Sequence, residues 1–106
     1  MILRNASGIE GEYEYVLPLK GHASIHNGQF IFVGGAVDAP FDGKAGTYVI
    51  EGDTVKSTFT YSTVVKDVGT SFDWSVKSWS GDTLTYVIYN EKSEPTGGGR
   101  AVRISQ

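Results

Sequence analysis

Gly46-Thr-Tyr-Val-Ile-Glu-Gly-Asp-Thr-Val-Lys-Ser-Thr-Phe-Thr-Tyr-Ser62 reads as two strands turned back on each other at Glu51-Gly52-Asp53. In the second half, Val55, Ser57, Phe59 and Tyr61 take alternate positions, with Lys56, Thr58, Thr60 and Ser62 between them. Successive side chains of extended backbone point to opposite faces, so this period of two marks a strand with one dry and one wet side. An antiparallel hairpin is the economical solution, with Tyr48, Ile50, Val55, Phe59 and Tyr61 turned to the core.

The same pattern runs outward in both directions. Towards the N-terminus, Gly11 to Leu17 sets Tyr13, Tyr15 and Leu17 against Glu12, Glu14 and Val16, and stops near Pro18, which has no N–H for a ladder. Gly21 to Gly35 carries Asn27-Gly28, the dipeptide best suited to a two-residue hairpin because both positions tolerate positive φ. Its first arm turns Ala23 and Ile25 inward. Its second has Phe30 and Phe32 on one face and Ile31 and Val33 on the other, so that strand is apolar on both sides and needs a second cover besides the core. Ala36 to Lys44, with Pro40 and Gly43, has no period and reads as a loop.

Towards the C-terminus, Thr63 to Thr70 is a connection with room for one short turn, and Ser71 to Trp79 resumes alternation with Phe72, Trp74 and Val76 inward. Ser80-Gly81-Asp82 repeats the turn chemistry of Gly52-Asp53. Thr83 to Asn90 then places Leu84, Tyr86 and Ile88 inward and Thr85, Val87 and Tyr89 outward. Lys92 to Gly99, with Pro95 and three consecutive glycines, reads as a loop. Arg100 to Ser105 reads as a last strand with Arg100, Val102 and Ile104 in one phase, facing inward.

The expected fold is therefore all-β, an up-and-down meander of about eight strands that closes into a small barrel, since closure removes the two unpaired edges. A two-layer sandwich is the alternative architecture. At 106 residues the chain supplies one domain, residues 1–106, because two would starve both cores.

Composition narrows the function classes. The 40% apolar and 20% charged residues are an ordinary globular balance. Nine basic residues, scattered singly in a chain of net charge −3, give no stripe to follow a phosphate backbone, so no nucleic-acid partner is expected. With no cysteine there are no disulfides, thiolate metal sites or cysteine nucleophiles. No apolar run approaches the roughly 18 residues that span a bilayer as a helix. Residues 1–8 are too short and polar for a signal peptide, so a cytoplasmic location without membrane attachment is expected.

Eight strands enclose an interior just wide enough to be filled by side chains or to hold one small ligand. Tyr13, Tyr15, Tyr48, Tyr61, Trp74 and Tyr86, together with Arg100, are the candidate ligand-binding set, because phenols facing one interior need mutual bonds, water, a rim position or a ligand. The alternative for the same residues is packing at the barrel mouths. His22 and His26 share a strand face, but their spacing matches no metal site and there is no third histidine, so one exposed histidine and one turn histidine are expected, with no metal and no cofactor. Neither a Gly-x-Ser-x-Gly elbow nor a histidine placed to activate a hydroxyl is present, so the expectation is a non-catalytic binding module. A barrel cyclase or isomerase working through shape and tyrosine hydroxyls is the enzymatic alternative. Outside, Ile31, Val33, Val49, Trp79, Val87 and Tyr89 are the candidate cover of a two-fold homodimer.

Gly11-Glu12-Tyr13, the Gly21 to Gly35 run with its Asn-Gly turn and double glycine, Gly46-Thr-Tyr with Gly-Asp following, and a terminal strand bearing arginine together resemble the lipocalin-like (calycin) barrels. The closest likeness is to the GrlR-like family, compact barrels related to a negative regulator of type III secretion gene expression. The resemblance implies a barrel, a dimer and a protein partner met on the outer surface. It also implies that Tyr13 stands where lipocalins carry a tryptophan, with Arg100 as the last-strand arginine against it. The regulator's run of four acidic residues would fall at Glu51-Gly52-Asp53, where this sequence has two separated acids.

Overall fold

The computed structural model describes residues 8–16 and 19–105. Eight antiparallel strands follow one another around a closed barrel: β1 (Gly11–Val16), β2 (Leu19–His26), β3 (Gln29–Ala36), β4 (Asp42–Glu51), β5 (Thr54–Ser62), β6 (Ser71–Ser80), β7 (Thr83–Tyr89) and β8 (Pro95–Ser105). Closure is made by β8 pairing with β1, so no strand is left with an open edge. No helix among the described residues is long and apolar enough to cross a membrane.

Turn chemistry sets the two ends apart. Asn27 and Gly28 both take positive φ, 51° and 79°, the type I′ geometry that matches strand twist. Gly52 and Gly81 take φ of 61° and 60°, and each opens a two-residue turn closed by an aspartate. These three tight hairpins and residues Gly8 to Glu10 lie at one end of the barrel. The longer β3–β4, β5–β6 and β7–β8 connections lie at the other, the β5–β6 loop containing a single 3-10 turn, Val65–Asp67.

Ile9, Tyr13, Ala23, Ile25, Val55, Leu84 and Ala101 form the buried core, with Phe30, Phe32, Tyr48, Trp74, Val76 and Trp79 packed against it. The inward phase read from the sequence therefore holds through β1 to β3 and most of β5, β6 and β7. Leu17 and Pro18 fall outside the described residues. Two segments expected to be loops join the sheet. Asp42 to Lys44 extend β4 by pairing with Gly34 to Phe32, and Pro95 to Gly99 extend β8 by pairing with Tyr89 to Tyr86. Glycines bond through their backbone as well as any residue, but they leave no side-chain period to read.

Four inward or outward assignments are overturned, two of them by irregular register. Opposite the Ala45–Gly46 step, β5 carries one extra residue: Ala45 pairs with Tyr61 and Gly46 with Phe59. A one-residue insertion flips every later side chain to the other face. Tyr61, expected inside, is therefore 75% exposed on the outer wall. A second shift between Val76 and Ser78 does the reverse for Trp79, expected outside but packed into the core opposite Leu84. On β8 the phase itself is the other one: Ala101 and Arg103 are buried while Arg100 is exposed and Ile104 is 54% exposed. Pairing of Tyr13 with Arg103 and Tyr15 with Ala101 fixes this phase, which the short alternation of the last strand cannot choose alone. Ile50, also expected inside, lies 38% exposed beside its hairpin turn.

Candidate functional site: an aromatic barrel cavity

The interior is plugged at its tight-hairpin end. Ile9, 1% exposed, enters from the N-terminal segment, and its carbonyl accepts a hydrogen bond from the Tyr13 hydroxyl at 2.7 Å. Arg103 Nη1 donates to the carbonyls of Gly8 at 2.9 Å and Glu10 at 3.3 Å, while its guanidinium lies 4.7 Å from the Trp79 ring centre. The cation thus answers backbone acceptors that a folded-over segment would otherwise bury unpaired, and stacks on an indole face. Gly11 makes this approach possible, since a β-carbon there would stand 2.7 Å from Arg103 Cδ, and its φ of 146° is one that L residues rarely adopt. The arginine expected against an aromatic ring is therefore Arg103 against Trp79, not Arg100 against Tyr13.

Above the plug the barrel is not filled. A cavity of about 310 Å³ remains, walled by aromatic and aliphatic side chains from every strand. Phe30, Phe59 and Phe72 make one aromatic cluster, with Phe59 and Phe72 stacked at 4.8 Å and Phe30 edge-on to both at 5.9 and 6.0 Å. Phe32, Tyr15, Tyr86 and Trp74 make a chain of edge-to-face contacts, at 5.1, 5.8 and 6.4 Å. Such contacts hold the rings in fixed orientations, which keeps the walls from collapsing inward. Gly46, at the irregular step of β4, lets the Phe30 ring close on it, because a β-carbon there would lie 2.9 Å from that ring.

Polar groups are few on these walls. The Tyr86 hydroxyl is buried with no hydrogen-bond partner among the described residues, and its burial pushes the phenol up to about 12. Tyr15 is raised further, first by burial and then by the neighbouring Tyr86 and Tyr13 phenols, and burial likewise raises Tyr48. All three stay neutral donors at physiological pH. Lys44 contributes the one charged side chain among the described lining residues.

Five of the predicted ligand-binding residues meet here: Tyr13, Tyr15, Tyr48, Trp74 and Tyr86 line the cavity. Tyr61 and Arg100 lie on the exterior. The sequence reading missed Lys44, hidden in a segment read as a loop, and did not single out Ser57, Phe59 or Phe72, whose inward phase was the available signal. The predicted outer set divides. Ile31, Val33 and Val49 are 56%, 48% and 59% exposed on β3 and β4, whereas Val87 and Tyr89 are half-buried on β7, three strands further round, and Trp79 is inside.

A polar cluster occupies the outside of β1 and β2. Glu12 reaches between His22 and His26, with Oε1 2.8 Å from His22 Nε2 and Oε2 2.9 Å from His26 Nε2, and also accepts from Ser24. Glu14 lies 3.2 Å from the other ring nitrogen of His22. Carboxylates at both nitrogens favour the imidazolium and raise the His22 pKa, while bonds from Ser24, His22 and His26 hold the Glu12 carboxyl down at about 2. Among the described residues no group of three or more histidine or acidic side chains is arranged to hold a metal ion.

Compared with protein-family models, with curated proteins and with solved structures, the chain matches none.

Proposed function

We propose that the chain is a non-catalytic binding module that takes a small apolar or aromatic ligand into the barrel. The observation that carries this reading is an unfilled apolar cavity with a buried, unpartnered phenol on its wall. A buried hydroxyl without a partner costs about 1–3 kcal/mol, a cost that a ligand atom accepting its hydrogen relieves. At about 310 Å³ the cavity is at the small end of ligand pockets, which suits a ligand of two or three rings or a short acyl chain.

Tryptophan fluorescence tests the reading, because Trp74 lines the cavity and Trp79 belongs to the plug. Titration with N-phenyl-1-naphthylamine is expected to quench tryptophan emission and enhance probe emission together. In Trp74→Phe, which keeps an aromatic wall, the quenching should fall by more than half while probe emission persists. Absence of probe enhancement, or undiminished quenching in the variant, would remove the cavity from consideration.

A second reading, a regulatory interaction module of GrlR-like kind, is favoured by the outer wall of β3 to β5. Ile31, Val33, Val49 and Tyr61 are exposed there, Gln29, Ala45 and Thr47 between them add no charge, and Lys56, across from Val49 on β5, is paired with Asp73 at 3.3 Å. The occupant this face suits is a second copy of the chain. An isologous contact sets like against like, and a face whose bordering Lys56 is paired with Asp73 brings little unpaired like charge together even in a chain of net charge −3.

A further inference from the structure

Lys44 is out of place for a purely structural residue. It starts on the outer end of β4, lines an otherwise aromatic and aliphatic cavity, and sits only 25% exposed. Its Nζ bonds to Asp67 Oδ2 at 2.9 Å and stands 5.2 Å from the centre of the Phe59 ring. Asp67 belongs to the 3-10 turn of the β5–β6 loop, at the barrel end opposite the plug, and is not itself a cavity residue. The charge presented to the cavity is therefore positive.

The ion pair is not needed to hold that loop. Gly69 N donates to Phe59 O at 2.8 Å, Phe59 N to Thr70 O at 3.0 Å, and Thr70 bonds back to the Asp67 carbonyl through both its N–H and its hydroxyl. These backbone bonds tie the turn to β5 on their own. Taking an ammonium and a carboxylate partly out of water costs free energy that a solitary, partly exposed pair scarcely recovers. Lysine also has three donors, of which Asp67 takes one. What remains is a cation whose other donors no described residue takes, at the mouth of an apolar cavity and held by an acid that stands outside it.

We infer that the ligand is an amphipathic anion, an apolar or aromatic body ending in a carboxylate, whose head group meets Lys44 at the cavity mouth in place of Asp67. This rests on the cavity reading above and names the ligand class within it. A charge-assisted hydrogen bond to Lys44 is stronger than one to a neutral acceptor, and the aromatic wall beneath it excludes competing water. Asp67 then acts as an internal competitor that occupies the ammonium when no ligand is bound.

The test is displacement of N-phenyl-1-naphthylamine by three ligands of one shape: 2-naphthoate, 2-naphthylmethanol and 2-naphthylmethylamine. Wild type is expected to prefer the carboxylate over the alcohol by about tenfold, with the amine weakest. Lys44→Met should reduce the carboxylate-to-alcohol ratio to about one, and Lys44→Arg should restore it. Asp67→Asn, outside the cavity, should widen the ratio several-fold by removing the competitor. Equal displacement by carboxylate and alcohol in wild type, or a ratio unmoved in both Lys44→Met and Asp67→Asn, overturns the anion while leaving the cavity standing. Failure of the probe itself to bind overturns both.

Discussion

Single side chains in this barrel do unequal work, and the pair Glu12 and His22 shows it through pH. The Glu12 carboxyl is held at about 2 against an ordinary 4.5, so its stabilising contribution is present above pH 4.5 and is lost as the pH falls towards 2. His22 is raised above its ordinary 6.5, so its contribution is present below pH 6.5 and is lost as the pH rises through the raised value. Glu12 and Glu14 face it from β1, Val33 lies opposite on β3, and Lys20, Ser24 and His26 flank it on its own strand. The cluster therefore stabilises most between about pH 4.5 and 6.5. Because these groups are largely solvated, the expected effect is small: the thermal midpoint should drop by about 2–4 °C from pH 6 to 8.5 on this account. His22→Gln should flatten that limb in scanning calorimetry, and an unchanged drop in the variant would assign it to other groups.

At the scale of elements, the irregular steps in β4–β5 and β6–β7 decide which aromatic goes where. One extra residue sends Tyr61 out and brings Trp79 in, and Trp79 then meets Arg103 from β8 and completes the plug over Ile9. The plug is a tertiary joint between the N-terminal segment, β6 and β8, made by residues far apart in sequence. Arg103→Met should remove two hydrogen bonds from a buried cation and its ring contact, for a loss of about 2–3 kcal/mol in urea unfolding. A change below about 0.5 kcal/mol would mean the N-terminal segment closes the barrel without the arginine.

For the whole molecule, closure through β1 and β8 leaves no strand edge for association, so any self-association has to use the wall. The wall of β3 to β5 is the proposed place. Light scattering at micromolar concentration should give the mass of a dimer, and Ile31→Glu should give that of a monomer by putting like charges face to face across the two-fold. A monomeric mass for the unaltered chain would leave the exposed residues as ordinary surface. Much of this organisation was legible in the chain. Alternating aromatics, Asn27-Gly28 and the paired Gly-Asp turns are local signals, and they determine strands, hairpins and the inward rank of Tyr13, Tyr15, Tyr48, Trp74 and Tyr86, because strand period and turn φ depend on neighbours a few residues away. The sides taken by Tyr61, Trp79 and Arg103, and the meeting of Lys44 with Asp67, depend on register between strands. Register is set by cross-strand hydrogen bonds and by which side chains fill the closed interior, and only the tertiary structure decides that.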